Sequence, residues 1–437
     1  MEKNKLNVKR TILVGFAFFL ISAFWQSYDK TVPLILKYRF GMEEWLSGFI
    51  MSLDNIFAVF MLPIFGALSD KINTRYGRRT PFVLIGTVLA VVFYILSSFA
   101  SSLWLFILLL LFTLISMATF RSPAVALMPD VTIKPLRSKG NAVINLMGTA
   151  GGISVLLVGM FIKIGQAHLS NMPIYVGVVS LIMVAALVVF LLTVKENAWA
   201  GEADALNRTL ESESKKEEET PAVEKHKLSK SEIISLCLIL ASVALWFTGY
   251  NAVTSKFSVY VEETFTLADG TQKVSYDLAL TIAQVAAIIT YIPVGLIASR
   301  IGRKKSILAG IIMLSAAFGF ASLINIHTPP IPMYLLFALA GIGWATINVN
   351  SFPMVVELAT GSDVGKYTGY YYTASMSAQI ITPILSGFLV DKIGWHVFFP
   401  YAAIFAALSF VTMLFVKHGD TKPQKKASIL ENLDVDD

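Results

Sequence analysis

The sequence predicts an all-α membrane protein with twelve transmembrane helices arranged as two pseudo-symmetric six-helix bundles. Three observations predict it: the composition, the spacing of the apolar runs, and a motif that occurs once in each half. Of the 437 residues, 55% are apolar and 15% charged, against about 25% charged in soluble domains. A hydrocarbon core about 30 Å thick takes about twenty apolar residues in helical form. Runs of that length lie near 11–36, 45–69, 81–100, 103–129, 141–163 and 173–194, and again near 232–261, 277–298, 306–325, 332–358, 367–390 and 397–416.

Taken in order, the first run follows Lys3, Lys5, Lys9 and Arg10, as a secretory signal would. It carries Asp29 and Lys30 and continues without a small-residue cleavage site, so it reads as a retained first span. The second run breaks abruptly after Leu68 into a polar turn holding Asp70, Lys71, Arg75, Gly77, Arg78 and Arg79, and the third begins at Pro81. A turn that short clamps two helices on one face of the bilayer. Its cations place that face in the cytoplasm, because short cytoplasmic loops are enriched in Lys and Arg. Lys134, Arg137 and Lys139, then Arg300, Arg303, Lys304 and Lys305, then Lys417 and Lys422 fall on the same side. Lys30, Lys37, Arg39, Lys256 and Lys273 on the opposite side dilute the contrast. Both termini are therefore expected in the cytoplasm of a multi-pass plasma (inner) membrane protein.

Four segments follow: a first bundle over 1–195, a charged cytoplasmic linker over 196–231, a second bundle over 232–416 and a cytoplasmic tail over 417–437. The linker, with Glu202, Asp204, Glu211, Glu213, Lys215, Lys216, Glu217, Glu218, Glu219 and Lys225, has too little apolar surface to fold alone and is expected to be a tether. The halves repeat. Gly66, Asp70 and Gly77-Arg78-Arg79 return as Gly295, Ser299 and Gly302-Arg303-Lys304; Asp130 with Lys139 returns as Glu357 with Lys366. Trp25, Tyr28 and Asp29 are echoed by Trp246, Tyr250 and Asn251. Duplicated bundles place a cavity between them near the midplane.

Charges inside spans cost about 3 kcal/mol at a helix centre on insertion scales, so each needs a partner or a wet cavity. Asp29, Asp54 and Arg121 are such residues. A carboxylate whose proton affinity rises on desolvation and falls as a guanidinium approaches can load and release a proton; the same pair could equally be a fixed clamp between helices. At the cytoplasmic ends, Gly66, Asp70, Arg75, Gly77, Arg78, Arg79, Asp130, Arg300, Arg303, Lys304 and Glu357 supply matched acids and bases in both halves, which suits a gate of charge-assisted hydrogen bonds. Topology anchoring alone is the plainer role. Trp25, Gln26, Tyr28, Asn55, Asn145, Tyr250, Asn251, Gln284, Trp344, Asn348, Asn350 and Gln379 could bind a neutral hydroxylated solute, aromatic faces stacking on rings and amides giving directional hydrogen bonds. Interface anchoring and helix–helix hydrogen bonding are the plainer roles for each. Gly148, Gly151, Gly152 and Gly159 read as close helix packing, and Pro33, Pro63, Pro123, Pro293, Pro353 and Pro383 as kinks.

Other classes are set aside. A net charge of +6 carried in topogenic loops does not call for nucleic acid. The single Cys237 allows no internal disulfide or cysteine metal site. His168, His226, His327, His396 and His418 fall at loops or span ends, and no G-x-x-x-x-G-K-[ST] phosphate loop occurs. The chain is expected to be no enzyme, to bind no metal or cofactor, and to be monomeric.

The pattern Gly66, Asp70, Arg75, Gly77, Arg78 and Arg79 resembles the loop between the second and third helices of the major facilitator superfamily. Within that superfamily, PIFGALSDKINTRYGRRTPFVLIGT is similar to the lengthened turn of the sucrose transporters and the glycoside-pentoside-hexuronide cation symporters. RSPAVALMPD resembles the fourth-span G-P-C-R-A-L-L-A-D of plant sucrose transporters at Pro123 and Asp130. The arginine departs: its place is Val125, and Arg121 stands one helical turn earlier on the same face. Where a sodium-melibiose relative carries aspartates, this chain has Ala58 and Leu62. The resemblance implies a symporter that imports a sugar or glycoside, disaccharides included, by rocking its halves. Protons rather than sodium, and so a proton gradient, would drive it; a proton-driven exporter of amphipathic compounds is the alternative.

Overall fold

The computed structural model describes residues 6–217, 229–358 and 364–420. The linker's 218–228, with Glu218, Glu219, Lys225 and His226, and the tail beyond 420, with Lys422, lie outside the described residues. In chain order the helices are α1 (Val8–Tyr38), α2 (Glu44–Lys71), α3 (Thr80–Ser98), α4 (Leu103–Asp130), α5 (Arg137–Phe161), α6 (Met172–Thr193) and α7 (Glu196–Glu217). Then come α8 (Lys230–Phe265), α9 (Tyr276–Ile301), α10 (Arg303–Ala321), α11 (Ile331–Val356), α12 (Val364–Ile393) and α13 (Phe398–Leu414). All but α7 are long and apolar enough to cross a membrane, which makes the twelve spans the sequence predicts.

The helix ends are written locally. The Ser102 hydroxyl accepts from the Leu105 amide to start α4, Ser275 does the same for Leu278 at α9, and Ser229 with Glu232 forms a capping box at α8. Gly302, at φ +97°, ends α9 and starts α10 in one residue, which is why the second-half turn is so short. Prolines 33, 63, 123, 293, 353 and 383 all lie inside helices, as expected of kinks.

Two compact units result, and they do not coincide with the halves of the sequence. The first comprises 1–27, 56–158 and 170–223; the second 28–55, 159–169 and 224–437. In the first, α3 packs on α4 and α6, and α5 lies against the start of α1: a Cβ on Gly151 would stand 2.4 Å from the Phe19 carbonyl, so only glycine permits that approach. In the second, α11 packs on α9 and α10, and α8 on α12 and α13. The beginning of α2 joins it through backbone contact with α12: a Cβ on Gly48 would stand 2.0 Å from the Pro383 carbonyl, and the Ser52 hydroxyl donates to the Ile380 carbonyl at 2.8 Å.

Two expectations are corrected. Residues 196–217 are not an unfolded tether but the helix α7, lying on the first unit. Trp199, Ala203, Leu206 and Leu210 recur at helical spacing. Ala203 packs with Ile133 and Leu136, and Leu6, Leu206 and Leu210 close around them. The polar edges hold too: Asn207 accepts from the Lys134 amide at 2.9 Å, and Arg10 pairs with Glu202 while its guanidinium lies over Trp199. Charge density along the segment hid this stripe. Second, Lys30, Lys37 and Lys256 are not loop cations: each lies within a helix and bonds a carboxylate.

Candidate functional site

The α2–α3 turn is built around Arg79. Its guanidinium donates to Asp130 at 2.8 Å, to Asp70 at 2.5 Å, to the Ser69 hydroxyl and to the Gly66 carbonyl at 3.5 Å. Burial works against the charge, and hydrogen bonds and attraction from Asp130 and Asp70 outweigh it, so the Arg79 pKa is held above its ordinary value. Arg78 adds a longer contact to Asp130, 3.3 Å. A Cβ on Gly66 would meet the Ser122 hydroxyl at 2.8 Å, so a side chain there would push that hydroxyl aside. Arg75 departs from the expected cluster: it is exposed, stacks on Tyr76 at 4.5 Å and makes no ion pair among the described residues.

Sequence reasoning missed the group beneath this turn. The buried Glu196 carboxylate accepts from the amides of Arg78 (2.7 Å), Arg79 (2.8 Å) and Thr80 (2.8 Å) and from the Thr80 hydroxyl (2.7 Å). These amides are the bare N-terminal donors of α3, so a carboxylate set there meets both the hydrogen bonds and the helix dipole. Gly77, at φ +123°, lies so near that a Cβ would stand 2.1 Å from Glu196. Asn197 donates to the Thr74 carbonyl at 2.9 Å. The signal available in sequence was a carboxylate placed just after the sixth span.

The second half repeats the device with other residues. Arg303 pairs with Glu357, matching Arg79 with Asp130. Asp420, after α13, accepts from the Lys304 amide at 2.9 Å at the start of α10, as Glu196 does at α3. The Lys304 ammonium does not join Glu357; it donates to the carbonyls of Leu414 (2.8 Å) and Val416 (2.7 Å) at the end of α13. Arg300 forms no ion pair among the described residues. Each matched acid–base pair thus lies inside its own unit.

Within the spans, Asp29 and Asp54 both belong to the second unit and both are half-buried. Asp54 also accepts from its neighbour Asn55, at the backbone amide (2.5 Å) and the side-chain amide (2.7 Å). Arg121 belongs to the first unit, where its guanidinium lies 5.6 Å from the Trp25 ring centre.

Among the aromatic and amide candidates, Tyr250 stacks on Trp344 at 3.8 Å and 7°, with Phe247 edge-on at 5.2 Å. Asn251, Gln284 and Gln379 are half-buried in the same unit, and Trp25, Gln26 and Asn145 in the first. Tyr28, Asn348 and Asn350 are buried, and Asn350 donates to the Thr346 carbonyl at 2.9 Å, a bond within α11.

Twelve helices long and apolar enough to cross a membrane, with an arginine–acid turn in each half, make this a multi-pass membrane protein. The sequence profile of the Major Facilitator Superfamily matches residues 12–276 and 267–433, and the chain belongs to that family. The inward-open xylose transporter XylE of E. coli superposes with TM-score 0.68 at 14% identity, over 97% of this chain and 98% of that one. The nucleoside transporter NupG gives TM-score 0.68 at 15% identity, over 93% and 100%. Among curated proteins, the chloramphenicol resistance protein CraA of Acinetobacter baumannii is 30% identical over 27% of this chain and 28% of its own length. The multidrug transporter MdtP of Bacillus subtilis is 26% identical over 36% and 28%. The chain thus matches under a third of the length of either relative.

Proposed function

We propose that this transporter couples uptake of a sugar or glycoside to protons entering the cytoplasm, with Asp54 as the protonated group and Asp29 as a second carboxylate in the same unit. The observation that carries the proposal is that two carboxylates, Asp29 and Asp54, lie half-buried inside spans of the same unit, with Asp54 accepting hydrogen bonds from Asn55. A carboxylate is costly to keep ionised inside a span, which suits a group that takes up and gives back a proton during transport. The Tyr250–Trp344 stack and the amides of Asn251, Gln284 and Gln379 suit a ring-bearing, hydroxylated solute. The Arg79–Asp130 and Arg303–Glu357 pairs would brace the cytoplasmic ends of the halves as they rock.

The relatives named for chloramphenicol resistance and multidrug transport support a second reading, proton-driven export of amphipathic compounds. Purified protein in liposomes separates the two. With an inward proton gradient, labelled disaccharides or monosaccharides accumulate under the first reading and not under the second. Asp54→Asn is expected to abolish accumulation while sparing solute exchange. Accumulation that survives this change with its pH dependence intact would refute the role of Asp54.

A further inference from the structure

The ends of α5 and α12 repeat one another. The run Lys163-Ile164-Gly165 after α5 returns as Lys392-Ile393-Gly394 at the end of α12. In each case a glycine just ahead of the run lies against the first turn of another helix. A Cβ on Gly387 would stand 2.3 Å from the Glu44 carbonyl of α2, and a Cβ on Gly159 would stand 2.1 Å from the Asp277 carboxylate of α9. Both contacts fall inside the second unit. One residue breaks the match. Ahead of its lysine, α12 carries Asp391, whose carboxylate accepts from the Glu44 amide at 3.0 Å and the Trp45 amide at 2.8 Å and so caps α2. The same place after α5 holds Ile162.

Where α12 sets that carboxylate against α2, a cavity of about 300 Å³ opens between the end of α5 and the first turn of α9. Its volume is at the lower end for small-molecule pockets. Met160, Ile164 and Leu278 give it an apolar wall, and Lys163 is exposed. Of the charged residues in the lining, Lys30, Lys163 and Asp277, two are cations and one an acid. That acid does not face the cavity as a bare charge. Both its oxygens accept from the Lys30 ammonium, at 2.8 and 2.7 Å, and the two side chains are 4% and 7% exposed. The nearby Glu262 is engaged as well, by the Gln272 side-chain amide at 2.6 Å. The balance left in the lining is one positive charge, on Lys163.

We infer that this cavity is a binding site for a small organic carboxylate, with Lys163 and the first turn of α9 holding the charge and Met160, Ile164 and Leu278 holding the apolar body. The ligand brings from outside the group that Asp391 provides from within the chain at α2. A polyol suits the cavity less well, since it would set hydroxyls against three apolar side chains and leave the ammonium without a counter-charge. The site uses none of the mid-span residues of the transport reading and does not depend on that reading.

The test measures binding alone, by equilibrium dialysis of the purified protein in detergent against labelled benzoate, one ring with one carboxylate. Benzamide has the same size without the charge. Benzoate is expected to bind at one equivalent with a Kd of about 1 mM or tighter, and benzamide at least about tenfold more weakly. Lys163→Met, at an exposed position that the fold does not need, should weaken benzoate about tenfold, and Lys163→Arg should keep it. Ile162→Asp, which gives α9 the cap that α2 already has, should exclude benzoate. Each variant is measured as a monodisperse peak, so misfolded material is not counted. The site is refuted if benzoate shows no saturable binding up to about 10 mM, or if benzamide binds as tightly. Benzoate binding that Lys163→Met and Ile162→Asp both leave unchanged would refute it too, because the ligand would then lie elsewhere.

Discussion

At the residue scale, Glu196 does more than its place in a charged stretch suggests. Its two oxygens satisfy three backbone amides and a hydroxyl at the start of α3. Glu196→Gln keeps the shape but turns one acceptor into a donor facing donors, which should cost about 1–3 kcal/mol. A lower melting temperature in detergent would register it. Asn197→Ala, which loses only bonds to loop carbonyls, should shift melting less. The pairing of Asp130 with Arg79 was legible because a turn between two spans leaves few partners. Glu196 was not, since nothing in its own neighbourhood says which of the distant helix starts it will cap. Lys304 shows the same limit: its motif position predicts an acid, but the end of α13 offers unbonded carbonyls nearer by.

At the element scale, the spans could be read to within about four residues at either end, because apolar length acts locally. The helix α7 could not be read from composition, although its Trp199, Ala203, Leu206 and Leu210 stripe carries the 3.6-residue period that would have found it. If that stripe holds α7 to the first unit, Leu206→Asp with Leu210→Asp should free it and speed protease cleavage within 196–217. Each leucine contributes about 1–2 kcal/mol when partly buried. Arg208→Glu, on the exposed face, should leave the cleavage rate unchanged.

At the scale of the whole molecule, the duplication predicted the twelve helices and the matched turns, but not the division into compact units. Residues 28–55 and 159–169 join the second unit because they meet partners far away in sequence: Lys30 and Asp277 are 247 positions apart, Lys256 and Glu44 are 212. Periodicity and motif carry no information about such pairings. Orientation is a property of the whole chain as well. With the α2–α3 turn in the cytoplasm, alkaline phosphatase fused at Asp269, in the α8–α9 connection, should be active and the same enzyme fused after Asn207 inactive. The reverse pattern would invert the topology.

The capping of α3 by Glu196 and of α10 by Asp420 sets an order on synthesis. Each half's early turn is fastened by a residue that follows that half's last span. While α6 is leaving the ribosome, the amides ahead of α3 still have no carboxylate to bind, and the bonds of Arg79 to Asp70 and Asp130 are the ties the turn has to hand. The cap itself can close only once the chain has been extended past residue 196, and in the second half only past residue 420.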